Sequence, residues 1–186
     1  MIINMCKLII CIVTFLLFDM VCVAQRIHYK VFKDMVHKFS FDIPAYWSIS
    51  YSKKQGGIVC KPTTNAQKKV YKDCFEGIVF RLEYLNYSLD SLLEEQYEKE
   101  GENYVTSDRI SNKIPVKSIK GKTWKGIRHN NTCGISCKTD GFHAAAGECQ
   151  FIWFSNGTAT VGISTNGRAF NNSILNRIIS SFEFFN

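Results

Sequence analysis

Alternating hydrophobic and polar residues predict several β-strands in the first half of the chain. Phe39, Phe41 and Ile43 alternate with polar residues, which is the pattern of a half-buried strand. Pro44 follows them and ends the predicted strand, because proline cannot donate a hydrogen bond to a neighbouring strand. The same alternation predicts further strands at the apolar positions Trp47, Ile49 and Tyr51, and at Ile78, Phe80, Leu82 and Tyr84.

Helical spacing replaces this alternation at two places. The first apolar stripe follows Ser88, a favoured N-cap residue, and consists of Leu89, Leu92, Leu93 and Tyr97. The second lies near the end of the sequence and consists of Phe170, Ile174, Leu175 and Ile178. Spacings of three and four residues are typical of one face of an amphipathic helix, so the sequence predicts two principal helices.

Turn residues predict hairpins in the second half of the chain. Asn156-Gly157 separates two alternating apolar runs, at 149–155 and 158–165, and this pattern predicts a hairpin with a two-residue type I′ turn. A second hairpin is predicted around Gly121, and a short final strand at 182–185. Strands, helix, strands, helix and strand in this order predict an α+β fold on a mainly antiparallel sheet.

The first 24 residues predict a secretory signal peptide. Lys7 precedes an apolar run from Leu8 to Phe18, and Ala24 offers a small residue for cleavage. The run is shorter than the roughly 18 residues that a membrane-spanning helix needs. We therefore expect no transmembrane segment after cleavage, and a secreted or periplasmic location.

The remaining residues, 25–186, have the size of one ordinary domain. The chain is 46% hydrophobic and 13% aromatic, which is enough for a packed core. We therefore expect a single α+β domain, with a Gly- and Cys-bearing insert at about 132–148.

The opening and the ending of this domain carry a family resemblance. Phe-Ser-Phe-Asp-Ile-Pro-Ala-Tyr-Trp at 39–47 and Ile-Ile-Ser-Ser-Phe-Glu-Phe at 178–184 resemble the PsbP/DcrB-like superfamily. The resemblance implies a PsbP-like fold. It also implies a role in binding other proteins, because the superfamily that the chain resembles includes extracytoplasmic lipoproteins, extrinsic photosystem subunits and type VI secretion adaptors. The chain departs from this pattern in its insert and in lacking a lipidation cysteine after the apolar run.

Five cysteines remain after residue 24, and an exported chain favours disulfides. Cys60 and Cys74 bracket a lysine-rich segment, so we expect them to pair. Cys149 is expected to pair with either Cys133 or Cys137, tethering the insert and leaving one thiol. The alternative is a zinc site, whose ligands would be drawn from His129, Cys133, Cys137, His143 and Cys149.

The net charge of +7 persists without the first 24 residues, because they hold one lysine and one aspartate. The charges are unevenly distributed, since residues 88–102 contain six acidic residues and one lysine. A candidate basic strip for binding a partner consists of Lys117, Lys120, Lys122, Trp124, Lys125 and Arg128. With one aromatic residue among these cations, the strip lacks the stacking series that nucleic-acid binding uses, so no nucleic-acid partner is expected.

No catalytic constellation is visible, because the sequence offers no nucleophile with its base and no phosphate-binding glycine loop. We therefore expect no enzyme and no cofactor. The hypothesis from sequence is a secreted or periplasmic module that binds a protein, in an adaptor or toxin-neutralising type of role, with contact to an anionic surface as a further option. The alternative is an envelope protein that binds a small ligand or metal, with His129, His143 and the unpaired cysteine taking part.

Overall fold

The computed structural model of the protein describes most of the predicted domain. The described residues are 27–54, 57–65, 68–69, 78–107, 112–132, 149–165 and 172–186, together with the backbone of 55, 133–137 and 141–148. The predicted signal peptide, Cys74 and Phe170 lie outside these residues. No helix in the described part has the length and hydropathy needed to cross a bilayer.

The described residues form strands for most of their length. In chain order, the strands are β1 (Tyr29–Asp34), β2 (Phe39–Pro44), β3 (Trp47–Ser52), β4 (Gly57–Pro62), β5 (Phe80–Leu85), β6 (Glu98–Glu100), β7 (Asn103–Ser107), β8 (Lys113–Pro115), β9 (Lys117–Lys120), β10 (Lys125–Cys137), β11 (Gly141–Ser155), β12 (Thr160–Thr165) and β13 (Glu183–Phe184). The helices are α1 (Leu89–Gln96) and α2 (Asn172–Ser181), and Lys53–Gln55 form one 3-10 turn.

The strands make one large sheet and two small ones. The large sheet has seven strands in the order β3-β4-β5-β12-β11-β10-β9, and the small sheets are β1-β2-β13 and β6-β7-β8. The pairs described in all three sheets are antiparallel. The predicted α+β class, with a mainly antiparallel sheet and two principal helices, is confirmed.

An aromatic core fills the space between one face of the large sheet, the β1-β2-β13 sheet and α2. Phe182 lies near its centre, with its ring stacked on Phe154 at 3.9 Å and on Phe39 at 5.7 Å between centroids. Trp124 packs edge-on against Phe154, and its indole Nε1 donates a hydrogen bond to the carbonyl of Phe182 at 2.7 Å. The end of the chain is thereby fixed to the large sheet.

Helix α2 is anchored to β2 by apolar and polar contacts. Its buried residues are Ile174, Leu175 and Ile178, as the helical stripe predicts. The Oγ of Ser181 accepts a hydrogen bond from the backbone N–H of Asp42 at 2.9 Å. The guanidinium Nε of Arg177 donates to the Asp42 carboxylate at 2.8 Å.

The opposite face of the large sheet is covered by α1. The Oγ of Ser88 accepts a hydrogen bond from the backbone N–H of Ser91 at 3.2 Å, so the predicted N-cap is confirmed. Leu92 and Leu93 are buried against Ile127 and Trp153 in a second apolar cluster. The sheet therefore has a packed layer on both faces.

The hairpin predicted at Asn156-Gly157 forms, but its turn is longer than predicted. Ser155 pairs with Thr160, so the connection has the four residues 156–159 and not two. The Oδ1 of Asn156 accepts hydrogen bonds from the backbone N–H groups of Thr158 and Ala159, at 3.0 and 2.9 Å. This side-chain capping, with Gly157 at a positive φ of 99°, stabilises the wider loop.

The described backbone of the predicted insert, at 132–137 and 141–148, belongs to two strands. Strands β10 and β11 stay paired from Lys125 opposite Ser155 to Cys137 opposite Gly141, with an irregular register between Cys133 and Ile135. Both strands continue past the residues that pair with β9 and β12. The insert is thus the far end of the longest hairpin of the described residues.

The predicted Cys60–Cys74 disulfide is wrong, because Cys60 is a free thiol. Cys60 is fully buried in the aromatic core, on the strand that pairs with β5 at Phe80. Burial raises the pKa of its thiol, so that its reactive thiolate form is disfavoured.

Cys149 is disulfide-bonded, and the β10–β11 register limits the choice between its predicted partners. Cys149 lies opposite Asn131. Cys133 is two residues further along β10, whereas Cys137 is six residues further, about 20 Å at the rise of an extended strand. Of these two predicted pairings, the register excludes Cys137.

Candidate functional site

Two features of the large sheet are candidates for function: a basic hairpin at its edge and a cleft on the α1 face. The basic hairpin consists of β9, the connecting loop 121–124 and β10 as far as Arg128. Its registers place two pairs of like charges directly opposite each other, because Lys120 faces Lys125 and Lys117 faces Arg128. Directly opposed like charges destabilise an antiparallel pair.

The lysines of the basic hairpin border a groove of about 580 Å³. Lys120, Lys122 and Lys125 line one side of it, while the start of α1 and the loop at Asn156-Gly157 line the other. The four hairpin lysines, including Lys117, form no ion pair with any residue of the described ranges. The groove is thus bordered by three lysines without an ion pair in the described part of the protein, and by Asp90 in the first turn of α1.

Trp124, the aromatic residue of the predicted basic strip, borders the groove, but most of its side chain is buried. Its side chain is 6% exposed and contributes to the aromatic core. Arg128 is partly buried, and its Nη2 donates to the side-chain oxygen of Gln150 at 3.1 Å. The structure brings Lys120, Lys122 and Lys125 together at the groove, while Lys117 lies at the edge of the sheet beside Arg128.

The cleft on the α1 face has a volume of about 290 Å³ and lies between the large sheet and residues 96–106. Its sheet side is formed by outward-facing residues of three strands, because Gly162 lies opposite Trp153, and Ser164 opposite Phe151. His129 follows on the next strand, opposite Phe151. Its remaining lining residues include Glu83, Gln96, Tyr97, Thr106 and Asn131.

A chain of hydrogen bonds crosses the cleft. The indole Nε1 of Trp153 donates to the Tyr97 hydroxyl at 2.9 Å. The same hydroxyl lies 3.0 Å from Nε2 of His129. Because the indole can only donate, we assign the hydroxyl proton to the bond with His129. The Nδ1 of His129 then carries its proton and faces the carbonyl of Asn130 at 3.4 Å.

Burial shifts the pKa values of both titratable groups in this chain. It lowers the pKa of His129, and the backbone carbonyl of Asn130 opposes the shift. It raises the pKa of Tyr97 to about 12, against the opposing effect of the Trp153 hydrogen bond. Both groups are therefore neutral at pH 7. A neutral imidazole stacked on Phe151, at 5.1 Å between centroids, is a structural group of the cleft wall.

The register of the long hairpin separates the residues of the predicted zinc alternative. His129 lies opposite Phe151, whereas Cys137 lies eight residues further along β10, roughly 25 Å away at the rise of an extended strand. His143 pairs with Ile135 near the far end, and the sulfur of Cys149 is already in a disulfide. The register therefore does not bring all five residues together, and the free thiol of Cys60 lies in the core.

Most of the cleft is not evident from the sequence. His129 is recognisable as an alternative ligand and Tyr97 as part of a helical stripe, whereas no pattern distinguishes Trp153 or Asn131. The run Phe151-Ile152-Trp153-Phe154 is continuously apolar, which is typical of a strand covered on both faces. That signal predicts a second packed layer, although it does not reveal which polar residues the layer brings together.

Gly162 provides the space for Trp153, and we expect Gly162→Ala to destabilise the protein. A Cβ at this position would overlap the indole ring, and moving the ring would disturb its hydrogen bond to Tyr97. Overpacking of this kind costs about 1–3 kcal/mol, which denaturant unfolding would measure. The control is Gly57→Ala, where the nearest atom is the Leu82 carbonyl oxygen at 4.0 Å. Equal destabilisation in both variants would contradict the role of Gly162.

The lowered pKa of His129 predicts a loss of stability in mild acid. As the pH falls through the ordinary value of 6.5, the unfolded chain binds a proton at this residue before the folded protein does. The free energy of unfolding contributed by neutral His129 is therefore complete above about pH 6.5 and decreases below it. Unfolding measured between pH 7 and 5 should show this slope in the wild type and in the exposed-residue control His28→Gln. An unchanged slope in His129→Phe would contradict the assignment.

Comparison of the chain with models of known protein families gives no match, and comparison with curated proteins gives none either. Among solved structures, the chain is similar to the solution structure of cyanobacterial PsbP (CyanoP) from Synechocystis sp. PCC 6803. The TM-score is 0.48 at 8% identity, over 88% of this chain and 96% of that one.

Proposed function

We propose that the protein is a non-enzymatic module that binds an acidic surface of a partner protein through its basic hairpin. The observation that carries the proposal is the opposition of Lys120 and Lys125, which border the groove. Lys117 and Arg128 oppose each other in the same way, on the other face of the sheet. Each opposition raises the energy of the free protein. Carboxylates of a partner placed between such cations would remove that repulsion, so binding and relief of repulsion would be coupled.

The distribution of the other charges supports this proposal. On the β6-β7-β8 sheet, Lys113 contacts the carboxylates of both Glu98 and Glu100. The acidic residues of that sheet are thus partly neutralised within the protein, whereas the hairpin lysines are not. Opposite charges on a partner would steer association, an effect that salt weakens.

The location remains a proposal that rests on the sequence. A signal peptide over residues 1–24 would place the module in the secreted or periplasmic space, in keeping with a disulfide at Cys149. An adaptor or a toxin-neutralising protein would both be modules of this type. The positive charge of the hairpin lysines favours an acidic partner and is compatible with both roles.

Charge reversal tests the proposal. The probe is poly-L-glutamate, and binding is followed by backbone amide shifts of the folded domain. We expect shifts centred on residues 117–128 in the wild type, and affinity lower by about tenfold in the double variant Lys120→Glu/Lys125→Glu. The matched control is Lys68→Glu/Lys69→Glu, which changes net charge equally at two exposed residues and should bind as the wild type does.

Three results would contradict the proposal. Equal loss of affinity in the control variant would assign binding to net charge alone. Stronger binding to phosphatidylserine vesicles than to the peptide would indicate a lipid surface. A hairpin variant that binds normally but self-associates would show that the lysines only protect β9, an edge strand, from pairing with other chains.

A further inference from the structure

We propose that the cleft on the α1 face binds a small organic cation with N–H donors, such as a primary ammonium or guanidinium group. This inference goes beyond the proposed protein-binding function, because it concerns a different surface of the large sheet. It rests on three independent properties of the cleft wall, namely its charge, its aromatic faces and an acceptor without a partner.

The charge of the cleft wall favours a cation. Glu83 is the charged residue of the lining, since His129 is neutral at pH 7. Glu83 forms no ion pair with any residue for which the structure describes a side chain. Arg81 lies on the same face opposite Ser164 but is not part of the lining. Glu83 is an exposed residue, so its carboxylate is accessible to a cationic ligand.

The aromatic residues provide the second property. Tyr97, Phe151 and Trp153 all line the cleft, and their orientations are fixed by the hydrogen-bond chain and by stacking on His129. The face of an aromatic ring attracts a cation, with larger energies where water is excluded. An ordered aromatic wall next to a carboxylate therefore suits a positively charged group.

Asn131 provides the third property. Its Nδ2 lies 3.4 Å from the carbonyl of Ser107, and only the amide nitrogen can donate to that carbonyl. In this orientation the other polar atom of the amide, Oδ1, is buried and has no hydrogen-bond partner among the described residues. A buried acceptor without a partner costs about 1–3 kcal/mol, so a ligand N–H that reaches it would gain this energy.

The volume of the cleft limits the size of the ligand. At about 30 Å³ per water, 290 Å³ corresponds to roughly ten water molecules, which is at the lower end for small-molecule sites. The hydroxyls of Thr106 and Ser164 line the same space and provide further acceptors. The cleft therefore suits a single head group and not a large cofactor.

Agmatine, which carries both a guanidinium and an ammonium group, is the test ligand. We expect it to shift the NMR signals of the Trp153 indole N–H and of the His129 ring, whereas glucose and acetate at equal concentration and ionic strength should not. Glu83→Gln should weaken agmatine binding about tenfold, and so should Asn131→Leu. The matched control Glu94→Gln removes the same charge from an exposed position on α1 and should bind agmatine as the wild type does.

Two controls keep this test independent of folding and of the basic hairpin. A retained Trp153 indole signal shows that a variant is folded, and Glu83→Asp should restore part of the affinity. Poly-L-glutamate binding should be unchanged in Glu83→Gln, so that failure of either proposal is recognised separately. Agmatine shifts that are absent in the wild type, or equal in Glu83→Gln and wild type, would overturn the proposed cation site. Equal binding of glucose would assign the cleft to a neutral ligand.

Discussion

The alternation of side chains along β10, β11 and β12 is the constraint on which both the aromatic core and the cleft on the α1 face depend. Successive residues of a strand point to opposite faces of the sheet. Ile152 and Phe154 therefore enter the aromatic core, while Phe151 and Trp153 face α1. A register shift of one residue would exchange these sets, exposing the core residues and dismantling the cleft.

The two candidate surfaces differ in the sign and the number of their charged groups. At the basic hairpin, cations oppose each other across paired strands and form no ion pair with the described residues. In the cleft, the titratable groups Tyr97 and His129 are kept neutral by burial, and Glu83 remains as the charge at the wall. One surface therefore suits an extended acidic partner, and the other suits a small cationic group.

Local patterns predicted the elements well, because periodicity and caps act over a few residues. The N-cap at Ser88 and the α2 stripe at Ile174, Leu175 and Ile178 were correct for this reason. The burial of Cys60 and of Trp124 depends instead on distant residues that close the core. The cleft likewise joins Tyr97 to His129, 32 positions later in the chain, and no local pattern encodes that contact.

The central claim is that the opposed cations of the basic hairpin are kept for a partner at a cost to the stability of the free protein. The most direct measurement is the free energy of unfolding of Lys120→Gln and of the wild type, at low and at high salt. The account predicts that the variant is more stable at low salt, by a few tenths of a kcal/mol up to about 1 kcal/mol. The difference should disappear at high salt, where the repulsion is screened. A variant that is less stable than the wild type at low salt would contradict the claim, because Lys120 would then stabilise the fold itself.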